Sequence, residues 1–522
     1  MTAASFNPGG AVQRSDLPLR SVVSNWAGLV VNALLSFALT PLLVHGLGDV
    51  FFAMWMLVTS LLESSWLLDF GMRTTVFRFV ARYQGSKERN ALNETFISGF
   101  AISLAAAGVI LLLSWASLFV LPPLFAITGD AAGTFRWLLL LSGASVAISF
   151  CAQFLGTYLC AVRRFDLHNL TSAGSGLLRA VLIVVALKMH HGVLFVAAVA
   201  LACSLLSLAV NGWLLRVADP ALSIDPGNIK MARIRQLLGF SSSAFLGNVG
   251  DQLRFFVDSI VIGRVLTVAL ITPFNIAGRL VMLFRQLALA LASPFAGVMS
   301  ELEGQQKHAE LQSYFLLATR QTSLLSVFIS LMLLINGRPL IRFWVGSAYS
   351  TSHGLLSVLL AGYCLMLAQQ PSADFLIAKG KHVLRGWWTL AEGFANLGLS
   401  IYWGHRYGLI GIAMGTAIPM IAIQVVVQPW YTLHIAAIPL RRYLKEALLP
   451  PLLVALVFIA VCALAQPWRH SFDLMHFLLA LAWQCALLLV LAACIGLRRS
   501  ERSRMLESVR RIRFGAGARS PA

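Results

Sequence analysis

Charged side chains are scarce in this sequence: Asp, Glu, Lys and Arg make up 12% of its 522 residues, whereas 58% of the residues are hydrophobic. Soluble domains carry about 25% charged residues, so the composition excludes a soluble protein held by a single membrane anchor. Uncharged hydrophobic runs of about 18 residues or more recur along the whole chain, as in transmembrane helices. A transmembrane β-barrel would show alternating segments of about ten residues instead. The sequence therefore predicts an all-α polytopic membrane protein.

Acidic residues and long polar loops are also few. Only 21 Asp and Glu stand against 40 Lys and Arg, which gives a net charge of +19. The basic residues lie in short loops and in the C-terminal tail, where anionic lipid headgroups account for them, so we exclude a nucleic-acid-binding role. The longest polar connections, at 72–93 and 217–237, are too short for a separate domain. Residues 73–93 are basic and partly amphipathic, and we expect a helix there on the inner membrane surface.

Signatures of catalysis and metal binding are missing from the sequence. The seven cysteines lie singly in hydrophobic runs, without the spacing of a metal site. We find no phosphate-cradling P-loop, no paired carboxylates in an aqueous loop and no Ser–His arrangement. The protein is therefore expected not to be an enzyme, with no catalytic residue, no metal and no cofactor. Coupling of its activity to a proton or sodium gradient stays open.

Hydropathy predicts about fourteen transmembrane helices. Lys and Arg concentrate in every second loop, which by the positive-inside rule places both termini in the cytoplasm. The segments GSKERNALNETF (85–96) and GQQKHAELQSYF (304–315) follow predicted helices two and eight and share Gly, Leu and Phe 219 residues apart. We therefore expect two pseudo-symmetric six-helix lobes and two further helices. The predicted segments are an N-terminal tail (1–18), an N-lobe (19–216), a cytoplasmic linker (217–237), a C-lobe (238–433), helices thirteen and fourteen (446–497) and a basic tail (498–522).

Predicted helices seven and eight carry ionisable residues near their centres, within residues 241–286. At 100° per residue, Asp251, Arg254 and Asp258 share one face of helix seven, and Arg279 shares one side of helix eight with polar neighbours. A charged group that faces acyl chains costs from about 2.5 to more than 10 kcal/mol, depending on the scale. We therefore expect these faces to look onto protein or onto a water-filled cavity, as in a transporter.

Some of the intramembrane charges have a structural explanation as well. Four arginines of the predicted helices have no acid within helical reach, and each either meets an anionic substrate or pairs with an acid of another helix. Arg suits phosphate because its fork of donors binds two oxygens at once. A buried carboxyl such as Glu63 or Asp258 could instead bind a proton. Structural ion pairs are predicted for Asp69 with Arg73 and for Asp374 with Lys379 or Lys381, and are an alternative for Asp251 with Arg254.

Two stretches resemble a known family. WLLDFGMRTTVFRFVA (66–81) with the following RYQGSKERNALN, and the segment 247–286 beginning GNVGDQLRFFVDSIVIG, resemble bacterial polysaccharide flippases of the multidrug/oligosaccharidyl-lipid/polysaccharide (MOP) exporter superfamily. The resemblance implies a V-shaped, two-lobed fold around a cationic cavity in the bacterial inner membrane. The implied activity is alternating-access transport of an undecaprenyl-diphosphate-linked oligosaccharide from the cytoplasmic to the periplasmic leaflet, for O-antigen, capsule or exopolysaccharide. Implied partners are membrane lipids and polysaccharide polymerase machinery.

The resemblance also assigns roles to residues of this chain. The lumenal cations would be Arg254, Arg279, Arg285, Arg179 and Arg320, and Asp251 and Asp258 would tune or couple transport. Glu63 is a third candidate for coupling or ion pairing. The remaining predicted cavity residues are the polar Asn25, Asn32, Asn248, Asn275, Gln286, Gln369 and Gln370.

Three alternative functions share either this fold or these substrates. A drug/cation antiporter shares the fold but favours an acid-dominated cavity, whereas helix one offers Asn25 and Asn32 and no carboxylate. A peptidoglycan-precursor flippase shares both the fold and the cationic cavity and stays open. A membrane polysaccharide polymerase usually has a long outer loop with catalytic acids or arginines, and this sequence has none.

Overall fold

The computed structural model describes residue 35 and residues 37–69, 72–464 and 474–496, and the regular structure of these residues is helical. Eleven of the described helices are long and apolar enough to cross a membrane. This confirms the predicted all-α polytopic architecture. The helices are α1 (Phe37–Leu47), α2 (Asp49–Glu63), α3 (Met72–Ser86), α4 (Arg89–Leu124), α5 (Asp130–Ala161), α6 (Phe165–Lys188), α7 (Val193–Ala218), α8 (Met231–Phe255), α9 (Val257–Val265), α10 (Ile271–Gly304), α11 (His308–Val345), α12 (Ser352–Ala368), α13 (Gln370–Ala378), α14 (His382–Ile421), α15 (Gln428–Ala436), α16 (Leu440–Tyr443), α17 (Leu449–Leu464) and α18 (Leu474–Leu491).

The longest helical run, Val383–Ala436, is a hairpin of two antiparallel crossings. Gly408 reverses the chain at φ 61°, a conformation that a residue without a Cβ adopts easily. Beyond it the chain packs back on itself, so that Ser400 Oγ donates to the carbonyl of Ile412 at 3.3 Å. The hairpin thus accounts for two of the fourteen predicted crossings, whereas α1 and the pair α8–α9 are not among the eleven candidate spans of the described residues. Most of the first predicted helix, 19–44, lies outside the described residues.

Helix α3 takes the place of the predicted amphipathic segment and shows why that segment is helical. Met72, Val76, Val80 and Tyr83 recur every three or four residues and are buried against α4 and α5. The basic residues Arg78 and Arg82, which lie between them, are exposed. The stripe of apolar side chains therefore fixes α3 on the bundle, and its polar face stays outside.

We refer to the helices up to α7 and the helices from α8 onward as the two parts of the chain. The two parts are joined at one end of the bundle, which we call the closed end. The main hydrophobic core continues there from α1 and α2 into α10, α11 and α12. Thr272 Oγ1 donates to the carbonyl of Asp49 at 2.9 Å, and the hydroxyl of Tyr349 donates to the carboxylate of the same Asp49. Trp344 Nε1 donates to the carbonyl of Phe37 at 2.8 Å, and their rings stack 4.5 Å apart. Apolar packing and hydrogen bonds between the two parts of the chain thus seal this end.

The opposite end, which we call the basic end, gathers the basic loops. Arg89 contacts Asp219 at 2.5 Å, and Arg233 contacts Glu94 at 3.2 Å. Burial alone would raise the pKa of Asp219, but hydrogen bonds from Arg89 and Tyr158 lower it below its ordinary value. These contacts place on one side the loops that the sequence assigns to the cytoplasm. The assignment of that side to the cytoplasm stays a prediction.

Loop geometry recurs along the chain at nearly constant spacing. Lys87 (φ 58°) and Gln306 (φ 56°), 219 residues apart, occupy the same left-handed position between two helices. Leu92 and Leu311, at the start of the following helices, are each 1% exposed. Positive φ values also recur in the pairs Gly129 and Gly346, Arg163 and Gly380, and His190 and Gly408. The chain thus repeats its turns as well as a few residues, while the lobe boundaries stay a prediction.

Of the two ion pairs predicted near helix ends, the pair Asp69 with Arg73 is confirmed and the pair of Asp374 with a lysine is wrong. Arg73 Nε lies 3.4 Å from Asp69 Oδ1, as predicted. Lys379 instead pairs with Glu303 at 2.6 Å, while Asp374 accepts a hydrogen bond from Gln370 at 3.0 Å. The sequence could not indicate Glu303 because this residue belongs to α10 and is brought to α13 by the fold.

Candidate functional site

A cavity of about 120 Å³ lies between the two parts of the chain, where α2, α9, α10, α12 and α14 meet. We call it the central cavity. Its charged and amide-bearing lining residues are Glu63 from α2, Asp258 from α9, and Asn275 and Arg279 from α10. All four belong to the residues that the sequence predicts for the site. Since a helix rises about 1.5 Å per residue, Arg279 lies about 10 Å below Thr272 and thus below the seal at the closed end.

Cationic groups from both parts of the chain approach the central cavity. Arg279 lies near the carboxyl of Glu63, and its terminal nitrogen is 3.7 Å from the sulfur of Met56. Arg179 of α6 lies close enough to Arg279 for the two charges to repel. Asp258 also lines this cavity, so two guanidinium groups stand against two carboxyl groups. A positive excess, suited to a group with negative charge, therefore arises when Asp258 is neutral.

Asp258 holds a carboxyl oxygen without a partner in the wall of this cavity. The residue is 6% exposed, and its Oδ2 accepts a hydrogen bond from Thr416 Oγ1 at 2.8 Å. Its Oδ1 is buried and has no hydrogen-bond partner among the described residues. A buried, ionised carboxylate with an unsatisfied oxygen is costly, so a proton or a small cation at this oxygen would be stabilising.

Arg254 does not line the central cavity, which corrects the expectation for this residue. It is buried between α8 and α14, where Nε lies 2.5 Å from Oε1 of Glu392 and a terminal nitrogen donates to Oε2 at 2.7 Å. Asp251, 3.3 Å away, adds the pair that the sequence offers as an alternative. Gln424 donates to Glu392 at 2.8 Å. This buried ion pair, with its hydrogen bond to Oε2, holds the guanidinium against Glu392 and ties α8 to the α14 hairpin.

Other predicted residues lie elsewhere. Arg320 is 3% exposed and donates to the carbonyl of Glu446 at 3.4 Å, so it joins α11 to the segment before α17. Gln369 is buried where α12 breaks, and its side chain accepts from the hydroxyl of Tyr443 at 2.6 Å. Arg285 is partly buried on α10, near Tyr363.

The predicted polar residues of the cavity lie at several different places in the structure. Gln286 is exposed, and Gln370 donates to Asp374. Asn25, Asn32 and the side chain of Asn248 lie outside the described part of the chain. The structure thus brings Glu63, Asp258, Asn275 and Arg279 to one cavity, with Arg179 close by.

A second cavity, of about 330 Å³, lies among α5, α6 and α7, and we call it the first-half chamber. Its walls carry hydroxyl and amide groups together with His168 and Arg179, and no carboxylate lines it among the described residues. Gln153 in its wall accepts from Arg73 at 2.5 Å. Sequence reasoning missed this chamber. The signal is a stripe on α6 with helical spacing: His168, Thr171, Ser172, Ser175 and Arg179.

Comparison with known proteins places the chain in a family. Residues 19–302, more than half of the chain, match the model of the family described as polysaccharide biosynthesis protein. The chain belongs to this family. No curated protein matches the chain.

Several solved structures have a fold similar to that of this chain. The lipid II flippase MurJ in an inward closed conformation matches with a TM-score of 0.70 and 16% identity, over 91% of this chain and 98% of that chain. An inward-facing multidrug resistance MATE transporter of the MOP superfamily matches with a TM-score of 0.66 and 16% identity, over 80% and 98%. A MOP superfamily transporter from Pyrococcus furiosus, described by a binding pocket of reverse polarity, matches with a TM-score of 0.59 and 17% identity. The match covers 80% of this chain and 96% of that chain. These likenesses show that the chain has the fold of these structures, in agreement with its many apolar helices.

Proposed function

We propose that this protein flips a polyprenyl-diphosphate-linked oligosaccharide from the cytoplasmic to the periplasmic leaflet of the bacterial inner membrane. The product would feed the assembly of a surface polysaccharide such as O-antigen, capsule or exopolysaccharide. Membership in the polysaccharide biosynthesis family supports the sugar cargo. The guanidinium groups of Arg279 in the central cavity and Arg179 in the first-half chamber support the diphosphate.

The observation that carries the proposal is that Arg279 lines the central cavity and Arg179 lines the first-half chamber, one guanidinium from each part of the chain. Each guanidinium offers a planar fork that binds two phosphate oxygens. In a cavity with an effective dielectric constant of about 20, a charge pair at about 4 Å is worth about 4 kcal/mol. A diphosphate between the two groups would also relieve their mutual repulsion.

The two cavities suit different parts of the cargo. Hydroxyl and amide groups of the first-half chamber provide the donors and acceptors that sugar hydroxyls require. The polyprenyl chain would stay in the lipid beside the bundle. Because the closed end is sealed by core packing and by the contacts of Asp49 and Trp344, loading in this conformation takes place from the basic end. Opening of that seal would release the cargo on the other side.

Asp258 is the proposed coupling group. Its side chain lines the central cavity and one of its oxygens has no hydrogen-bond partner among the described residues, so binding of a proton or sodium ion there would neutralise a carboxylate in the path of an anionic cargo. The membrane potential adds to the drive, because moving two negative charges outward gains about 4–5 kcal/mol per 100 mV. An Asp258→Asn variant should therefore flip cargo at a rate that no longer depends on an imposed ion gradient. An unchanged dependence would remove Asp258 from the coupling.

Charge reversal in cells tests the proposal. Arg179→Glu and Arg279→Glu should abolish surface polysaccharide while the protein still inserts in the membrane at normal levels. Arg406→Glu, at the exposed tip of the α14 hairpin, is the matched control and should leave the polysaccharide unchanged. Rescue of a strain depleted of its peptidoglycan-precursor flippase, without rescue of polysaccharide export, would show a different cargo and overturn the proposal.

A further inference from the structure

An apolar groove of about 370 Å³ opens on the outer surface of α4, α5 and α7. We call it the α4–α7 groove. Phe96 and Phe100 of α4 form one wall, with parallel rings 6.2 Å apart. Trp213 of α7, 64% exposed, lines the other side. The remaining lining residues are Leu155, Ala209, Gly212, Leu215, Arg216 and Ile224.

The floor of the α4–α7 groove is deep because Gly212 lacks a side chain. A Cβ at Gly212 would meet only Leu155, at 3.9 Å, so the space above the glycine is open. Ala209 precedes it by nearly one turn and is also small. A channel walled by aromatic rings with small residues at its base admits a flexible hydrocarbon chain. No side chain of the described residues fills it.

A positive charge stands at one end of the groove. Arg216 is exposed and lies in the last turn of α7, at the basic end. Asp219, three residues further on, is engaged by Arg89 and Tyr158. Arg216 has no acidic partner among the described residues. Its guanidinium is therefore available at the depth where lipid headgroups lie, and Trp213 one turn earlier marks the same interface.

We propose that the α4–α7 groove binds one anionic phospholipid, with an acyl chain along Phe96, Phe100 and Trp213 and its headgroup phosphate on Arg216. Basic pockets between transmembrane helices hold acidic headgroups in this way. A zwitterionic lipid fits the apolar channel equally well but gains less from the excess positive charge of the basic end. Because Ile224 belongs to the connection between α7 and α8, the acyl chain would also brace that connection. The site is separate from both cavities assigned to the cargo.

The test measures quenching of Trp213 fluorescence by lipids brominated on the acyl chain. Full-length protein is placed in nanodiscs with brominated phosphatidylglycerol or brominated phosphatidylcholine, and the signal of a Trp213→Phe variant is subtracted. We expect a preference for phosphatidylglycerol of about fivefold, the ratio for one basic residue near the surface. Arg216→Gln should reduce the ratio to about one. Arg136→Gln, an exposed arginine near the other end of α5, is the control and should keep the preference.

A second set of variants tests the apolar part independently. Gly212→Leu or Ala209→Leu fills the channel and should weaken quenching of Trp213 by both lipids, and the second variant serves if the first does not fold. Equal quenching by the two lipids in the wild type, or an unchanged preference in Arg216→Gln, would overturn the proposal. Displacement of phosphatidylglycerol by substoichiometric polyprenyl phosphate would also overturn it, because the groove would then hold cargo.

Discussion

Removing one member of the buried pair Arg254 and Glu392 should destabilise the protein more than removing both. The two side chains are 4% and 1% exposed and make contacts of 2.5 and 2.7 Å. Breaking such a pair from one side leaves an uncompensated buried charge and costs about 3–5 kcal/mol. Replacing both groups with apolar residues of similar volume is often neutral or stabilising. We therefore expect Arg254→Met and Glu392→Leu each to lose about 3–5 kcal/mol, and the double variant to lose clearly less than either.

The assay is the free energy of unfolding in detergent for the two single variants and the double variant. The matched control is the exposed pair Arg164 and Asp166, whose side chains are 43% and 66% exposed. Its removal should change stability by less than about 1 kcal/mol. Flipping by the double variant should remain close to the wild-type rate, since Arg254 does not line the central cavity. Normal stability of Arg254→Met with loss of flipping would refute the reasoning and return Arg254 to the cargo path.

Three further predictions concern the ends of the bundle. Trp344→Ala should loosen the closed end, and a cysteine introduced near it should react faster with a membrane-impermeant maleimide; an unchanged rate would contradict a seal there. Gly408→Ala should cost about 1–3 kcal/mol because the position has φ 61° and ψ −140°, whereas Gly174→Ala, in an open helical position, should not destabilise; equal effects would count against the turn. The lowered pKa of Asp219 stabilises the fold at pH values above the ordinary aspartate pKa of about 3.9, and this contribution is lost as the pH falls through the folded pKa. Thermal unfolding from pH 7 to pH 3 should therefore show a smaller acid loss in Asp219→Asn, and an identical loss would argue against the contact with Arg89.

The sequence predicts well those features that depend on neighbours along the chain. Hydrophobic runs predict the crossings, and spacings of three or four residues predict the pairs Asp69 with Arg73 and Asp251 with Arg254, which the structure contains. Charge scarcity makes Arg279 conspicuous, and this residue does line the central cavity.

Features that depend on the packing of distant helices escape the sequence. Glu392 lies 138 residues from Arg254 along the chain, and only the contact between α8 and the α14 hairpin reveals it as the partner. Arg320 finds its partner at a backbone carbonyl, which no pattern of charged residues can indicate. The first-half chamber is built from hydroxyls that are individually ordinary in transmembrane helices.

The most direct test of the central claim is a flipping assay in proteoliposomes with a fluorescent polyprenyl-diphosphate sugar and, in parallel, an uncharged polyprenol-linked sugar. The account predicts that the wild type flips the diphosphate carrier and that Arg179→Glu and Arg279→Glu slow it by tenfold or more, since a hydrogen bond to a charged group is worth about 1.5–3 kcal/mol. Wild-type rates in both variants, or equal flipping of the charged and uncharged carriers, would contradict a cationic passage for phosphate.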